Sequence, residues 1–423
     1  MARAQLAVLI GTAALLAFGL YAVRLGGVRF PAKVWLACPG FALAMLLLFA
    51  AQRVLTPNAD PSLIPAAGLL NGLGLVLLAR LDPTQAMRQT VWLLLGAALA
   101  VVAMGLLSHY SRLRRYPYLA AAAGLGLLLF AALLGTQVHG SRLWFRLGPL
   151  NVQVVELLKL CSLAFVAGYL ADRGVYLRAL SRRWRNFRLP TWPYLVPLLL
   201  VWLLTLALVA LLRDFGAAAL VTGVALAMLY AASGRRSLLI GGAIALVAAL
   251  AVAYLEFGYV RVRVDTWLHP FANPTGAGYQ LSQGLFAIAN GGVLGAGLGY
   301  GHPTLIPVVS SDFIFNALVE ELGIAAGAAV IGTYVLLVAR GMRVALRSWG
   351  EYARLLAVGA TLTIGLQALV IIAGDTAVMP VTGVPLPFVS YGGSSLLVNF
   401  VLLALLLRLS DDAERLRAVE PET

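Results

Sequence analysis

Runs of about twenty apolar residues recur along this chain, separated by short polar or glycine-rich breaks, and that is the length a helix needs to cross a bilayer. About twelve such runs stand near residues 5–25, 33–53, 62–80, 87–108, 117–135, 153–172, 192–212, 215–232, 237–256, 316–340, 352–373 and 394–409. The runs at 62–80 and 215–232 are the least continuous. One segment breaks the rhythm: from Phe257 to Phe315 the chain mixes aromatics, Pro, Gly and charge. Loops longer than about 15 residues are functional or disordered, and the aromatic content argues against disorder. The pattern predicts an all-α polytopic membrane protein of about twelve spans, with a large outer loop (257–315) between spans nine and ten. It divides into an N-terminal helix pair (1–60), a core (61–410) and a short disordered tail (411–423).

Composition agrees with the pattern. The chain is 61% hydrophobic and 11% charged, with a mean hydropathy of +0.91. A soluble domain is about half apolar and a quarter charged, so the bilayer must act as solvent. The net charge of +14 does not point to nucleic acid, because the arginines lie between apolar runs rather than in one stripe. Arg112, Arg114 and Arg115, the group Arg173, Arg178, Arg182, Arg183, Arg185 and Arg188, then Arg235 and Arg236, all follow even-numbered spans. So do Arg340, Arg343 and Arg347, and finally Arg415 and Arg417. By the positive-inside rule both termini are cytoplasmic, with some attraction to anionic lipid. The run from Gln5 to Leu25 is long enough to span and reads as a retained anchor rather than a cleaved signal. Cys38 and Cys161 sit in apolar stretches without metal-type spacing.

The outer segment carries the candidate chemistry. Asp312 stands in Ser310-Ser311-Asp312-Phe313-Ile314-Phe315, just before an apolar helix with Glu320 and Glu321. A carboxylate among apolar neighbours at a membrane boundary is partly desolvated, which raises its pKa and suits a general base or acid. Helix capping explains the same residue equally well, and both readings stay open. Glu320 and Glu321 face different sides of one helix, and at least one is expected to pair with an Arg or Lys on a neighbouring helix. Glu156 and Lys159 share a helix face at i, i+3, either as an internal ion pair or as substrate contacts. Arg213-Asp214-Phe215-Gly216 reads as a tight outer turn. Arg142, Arg146, Arg261 and Arg263 lie on the outer side against the orientation rule. Their planar donor forks suit phosphate oxygens, though interfacial snorkelling is the commoner explanation for any one of them. The glycines from Gly291 to Gly299 match neither dinucleotide nor P-loop spacing and are expected to serve close packing or a re-entrant bend.

These residues bring a family into view. The chain resembles the SEDS proteins, RodA, FtsW and SpoVE, in four stretches. The first runs Gly276-Ala277-Gly278-Tyr279-Gln280, then Gln283, Gly291-Gly292 and Gly297-Leu298-Gly299. The second is Asp312-Phe313-Ile314-Phe315 with Glu320-Glu321-Leu322-Gly323. The third is Pro380-Val381-Thr382-Gly383-Val384-Pro385-Leu386-Pro387-Phe388 with Ser390-Tyr391-Gly392-Gly393-Ser394-Ser395. A weaker fourth comprises Trp144, Gln153, Glu156 and Lys159. The chain departs from the family at Val154-Val155, at Leu212-Arg213-Asp214-Phe215-Gly216-Ala217 and at Val308-Val309. The two added N-terminal spans resemble the actinobacterial branch.

The resemblance implies an inverting peptidoglycan glycosyltransferase of the inner membrane that polymerises lipid II and releases undecaprenyl pyrophosphate. Asp312 matches the family's essential acid. Lys159, Glu156, Arg261, Arg263, Gln280, Gln283, Ser390 and Ser394 become expected substrate contacts, with Glu320, Glu321, Asp214, Pro387, Gly392 and Gly393 in support. A class B penicillin-binding protein is the expected partner, beside membrane lipid, and a divalent cation, Mg or Mn, has room in the chemistry. A lipid II flippase or a non-catalytic scaffold for the transpeptidase are the rival functions.

Overall fold

The structure is a computed structural model that describes residues 2–138, 141–147, 150–179, 181–184, 187–190 and 192–419. The side chains of Arg142, Arg146, Arg178, Arg182, Arg183, Arg185 and Arg188 lie outside the described residues. The chain opens with α1 (Ala2–Leu25), α2 (Ala37–Leu55), α3 (Leu63–Leu81), α4 (Pro83–Leu106) and α5 (Pro117–Leu134). A small meander follows, β1 (Thr136–Val138), β2 (Ser141–Leu147) and β3 (Leu150–Gln153), leading into α6 (Val154–Ala179). After the hairpin β4 (Ser181–Trp184) and β5 (Phe187–Pro190) come α7 (Val196–Leu211), α8 (Phe215–Ser233) and α9 (Arg236–Glu256). Three shorter helices, α10 (Gly258–Leu268), α11 (Tyr279–Gly291) and α12 (Val309–Asp312), precede α13 (Ile314–Arg347), α14 (Glu351–Asp375) and α15 (Gly393–Val419).

Eleven helices among the described residues are long and apolar enough to cross a membrane. The twelfth apolar helix, α7, has 16 residues and spans about 24 Å at ~1.5 Å per residue, less than the ~30 Å hydrocarbon core. The run at 62–80 looked discontinuous because α3 lies in the bundle interior. Its apolar window is 83% buried, so Asn71 and the glycines beside it meet protein rather than lipid. The strands went unread because an alternation of three to seven residues is too short to register as a period. Their order is β1-β2-β3, antiparallel, with Trp144 opposite Gln153.

Two expectations are corrected. The part of the tail from Asp411 to Val419 is not disordered, because α15 continues through it, and Asp411 is fully buried, accepting a 2.8 Å bond from the Asn58 amide; residues 420–423 lie outside the described residues. The segment 257–315 is largely helical rather than open loop. Leu281, Ala287, Ile306, Val309 and Phe313 are buried together with Ala317 of α13, so apolar burial gives it a fixed shape. The N-terminal pair packs on α3 and α4, and Leu20, Phe41 and Leu48 join the same buried core as the rest of the bundle.

The feature that organises the core is a break in α13. Gly323 has φ +81 and ψ 170, a backbone state open to glycine and costly for other residues. The break frees peptide groups at membrane depth, where an unpaired one costs several kcal/mol. The glycine-rich strand beside it supplies their partners. Ala296 N and Gly297 N donate to the carbonyls of Glu320 and Glu321 at 2.9 Å each, while Ile324 N donates to Gly292 O at 2.9 Å. The carboxylates complete the joint. Arg80 Nε of α3 donates to Glu321 Oε1 at 2.8 Å and Arg80 Nη2 to Gly301 O at 2.9 Å. His302 N donates to Glu320 Oε1 at 3.0 Å. One of the two acids thus has the expected arginine on a neighbouring helix.

The Glu321 side chain is fully buried and that of Arg80 12% exposed. Removing either partner alone strands a buried charge, at a cost of about 3–5 kcal/mol. Arg80→Ala and Glu321→Ala should therefore each lower the unfolding midpoint of the purified protein sharply. The double variant should be no worse than the singles, and full additivity would mean that the pair does not form.

Candidate active site

At the end of the bundle where α13 begins, four separate stretches of sequence converge. Asp312 closes the single turn of α12, and Phe313 takes the N-cap position of α13 without a side-chain cap bond. Asp312 therefore stands one residue before the N-cap position of α13. Its Oδ1 accepts a 2.6 Å bond from Ser311 Oγ. The turn is pinned from outside by the Pro/Gly-rich segment before α15. Ser390 Oγ donates to Ser311 O at 2.6 Å, and Tyr391 N donates to Ser310 O at 2.9 Å. Ser390 is itself fixed, its Oγ accepting from Leu386 N at 2.9 Å and its carbonyl from Gln89 Nε2 at 3.1 Å.

Arg263 of α10 faces this acid. Its Nη1 reaches Thr382 O at 3.4 Å. Gly383, with φ +71, leaves the gap between them open. A β-carbon placed there would lie 3.6 Å from Asp312 Oδ2 and 3.9 Å from Arg263 Nη2. The carboxylate and the guanidinium thus border the same space beside Gly383. Arg261, two residues earlier, is engaged differently: its Nη2 donates to Leu255 O at 2.9 Å and it lies over the Tyr254 ring.

The fourth stretch arrives from α6. Lys159 Nζ donates to both Glu156 oxygens, at 2.8 and 2.9 Å, and to Gln367 Oε1 at 2.8 Å. Gln367 passes the connection on, its Nε2 donating to Pro385 O at 2.6 Å. Glu156, Lys159 and Gln367 are all buried, so the ion pair anticipated from the i, i+3 spacing anchors the Pro/Gly segment internally. Asp214 caps α8 by accepting from Ala217 N at 3.0 Å. Burial pushes its pKa above the usual carboxylate range, against the opposing pull of the Ala217 amide, Lys159 and Arg263.

The other expected residues brace backbone. Gln280 Nε2 donates to Pro307 O at 2.9 Å, steadying the approach to Asp312, and Gln283 is partly buried on the same helix. Ser394 Oγ accepts from Gln153 N at 3.0 Å. Pro387 O accepts from Tyr334 at 2.6 Å, and Gly392 N donates to Gln89 Oε1 at 3.4 Å. Gly393 packs so closely on the Trp92 indole that a β-carbon would collide with it.

One residue was missed. Asp375, at the end of α14, is 1% exposed and its Oδ2 has no hydrogen-bond partner among the described residues. Its carbonyl accepts from Asn316 Nδ2 at 2.9 Å, and its carboxyl lies close enough to Asp312 for the two charges to interact. The signal was an acid two residues past a run taken to end at 373, where ionisable groups are costly and functional by default. Among the described residues no cluster of three or more His, Cys, Asp or Glu could hold a metal ion.

The fold and site define a polytopic membrane protein that holds an acid against an arginine at one mouth of its helix bundle. Residues 75–415 match the family of FtsW, RodA and SpoVE, described as cell cycle proteins, and the chain belongs to that family. It is 38% identical over 393 residues to the peptidoglycan glycosyltransferase RodA of Mycobacterium tuberculosis, covering 89% of this chain and 84% of that one. It is 33% identical over 327 residues to the probable peptidoglycan glycosyltransferase FtsW of Geobacter metallireducens, covering 76% and 84%. Its fold resembles a chain of a peptidoglycan synthase complex, solved in a study of how polymerization and crosslinking are coordinated. The TM-score there is 0.70 at 30% identity, covering 84% of this chain and 98% of that one. The crystal structure of the rod shape determining protein RodA of Thermus thermophilus gives 0.60 at 30% identity, covering 84% and 97%.

Gly383 offers a direct check on the geometry. Gly383→Ala forces a left-handed alanine, costing about 1–2 kcal/mol, and should lower the unfolding midpoint in detergent by a few degrees. An unchanged midpoint would mean that the backbone there is not held left-handed.

Proposed function

We propose that this protein is a peptidoglycan glycosyltransferase that polymerises lipid II by inverting transfer, with Asp312 as general base. The observation that carries the reading is that the Asp312 carboxylate and the Arg263 guanidinium border the same space beside Gly383, each within 4 Å of where its β-carbon would stand. One charged group suits taking a proton, and the other suits receiving a leaving anion. Asp312 accepts the proton of the acceptor sugar's 4-hydroxyl as that oxygen attacks the anomeric carbon of the growing strand. The bond from that carbon to pyrophosphate breaks, and the electron pair leaves with undecaprenyl pyrophosphate. Arg263 opposes the charge that develops there, a stabilisation realised in the transition state. A phosphate leaving group needs little acid assistance, so one essential carboxylate suffices.

Asp312 and the orphaned Oδ2 of Asp375 are the residues that would hold a divalent cation, since Mg²⁺ commonly takes one or two carboxylates together with substrate phosphates. When bound, such an ion supplies further neutralisation of the pyrophosphate.

Chain orientation accords with this chemistry. The bundle end opposite Asp312 gathers Gln5, Arg53, Arg347 and Glu414, so both termini share one arginine-rich face, which we assign to the cytoplasm. Asp312 then opens on the outer side of the inner membrane. The structural relative in a peptidoglycan synthase complex supports a class B penicillin-binding protein as the partner that crosslinks the product.

Purified protein supplied with lipid II tests the proposal. Wild type should form glycan polymer, and Asp312→Asn should reduce the rate at least a hundredfold, the scale of a lost general base, while remaining folded. Polymerisation by the Asn variant at the wild-type rate would refute the role of Asp312. Lipid II flipping in liposomes without polymer formation by wild type would replace the enzyme with a transporter.

A further inference from the structure

The bundle end opposite Asp312 holds a polar cavity of about 550 Å³, within the range of roughly 300–1,000 Å³ common for small-molecule sites. It is walled by the last turn of α2, the connection to α3, the last turns of α13, and α15. Arg53, Arg340, Arg343 and Arg347 line it, against Asp60 and Glu414. The acids do not balance the bases. Arg347 pairs with Glu414 at 2.6 Å and Arg340 with Asp60 Oδ2 at 3.5 Å, while Asp60 Oδ1 is taken by the amide and hydroxyl of Ser62. Nearby Asp411 is occupied by Asn58 N and Arg415. Arg53 Nη2 donates to Gln5 Oε1 at 3.0 Å, while its Nε is buried without a partner. Arg343 makes no hydrogen bond or ion pair among the described residues.

Unused guanidinium donors converging on a cavity are suited to the oxygens of a phosphate. The helices that frame it cross the membrane and end there, so the cavity lies at the lipid–water boundary, where headgroup phosphates lie. Basic pockets between such helices are known recognition sites for anionic lipid. We propose that this cavity binds a phosphate-bearing anion through Arg53, Arg340 and Arg343, far from the Asp312 site. The N-terminal helix pair contributes Arg53 and the connection that follows it, so the site exists only where that pair is docked on the core.

The test uses the full chain in detergent, titrated separately with phosphatidylglycerol, phosphatidylcholine and inorganic phosphate while the unfolding midpoint is followed. A ligand that binds only the folded protein raises the midpoint. Arg343→Gln removes an exposed side chain without partners and should leave the unliganded midpoint unchanged. Phosphatidylglycerol should stabilise wild type where phosphatidylcholine does not, and Arg343→Gln should need about tenfold more of it, the loss expected for one charge-assisted contact. The same Arg343-dependent shift with inorganic phosphate would support the site with a soluble ligand as its source. No shift with either anion, or an equal response in Arg343→Gln, would overturn the proposal.

Discussion

A bilayer has no water to satisfy peptide groups, so irregular backbone survives in it only where protein supplies every partner. This molecule concentrates irregular backbone around its acid. The turn ending at Asp312 takes hydrogen bonds from Ser390 and Tyr391. The segment carrying those two residues is held in turn by Gln89, Gln367 and Tyr334 from three different helices. Behind it, the break in α13 at Gly323 is closed by the glycine-rich strand and by the Arg80–Glu321 pair. The carboxylate is therefore aimed by a lattice of hydrogen bonds whose members come from distant parts of the chain. Each of these bonds fixes the backbone at a particular atom, so the carboxylate is held by the fold rather than by its own side chain.

Much of the bundle was legible in the sequence, because lipid-facing helices must be apolar over a set length and the arginines mark alternate breaks. The errors have physical reasons. The helix α7 is shorter than its apolar run because Trp192–Tyr194 form a separate 3-10 turn before it. The tail looked disordered because Asp411, Asp412, Glu414, Arg415 and Arg417 read as a solvated charge run. In space, Asp411 is buried and Arg415 pairs with it at i, i+4. Of the residues picked out by family resemblance, Ser390 bonds the turn that ends at Asp312 and Arg263 reaches the neighbouring Thr382 carbonyl, while Glu320 and Glu321 serve the break in α13. What one dimension hid was their division of labour. Lys159 and Glu156 are occupied with one another and with Gln367, and Ser390 and Ser394 hold backbone. Arg80 and Asp375 act through partners more than sixty residues away or on another helix, and no local pattern reveals such pairings.

The two ends of α13 carry different electrostatics. At its start a sparse set of charges, Asp312, Asp375 and Arg263, surrounds an open gap, whereas its last turns present an arginine-rich cavity shared with α2 and α15. The part of the helix beyond the break at Gly323, residues 324–347, alone runs about 36 Å at ~1.5 Å per residue, more than the hydrocarbon thickness, and holds these regions apart. The proposed chemistry at one surface and the proposed anion site at the other are thus kept apart by the membrane itself.

Ser390 is placed to aim Asp312 through the Ser311 carbonyl, to which its hydroxyl donates. The steady-state kinetics of Ser390→Ala with lipid II test it most directly. The account expects kcat to fall about tenfold, with KM for lipid II essentially unchanged, as for an interaction expressed only in the transition state. A raised KM at wild-type kcat would contradict it, since Ser390 would then be a substrate contact and the turn at Asp312 would hold without it.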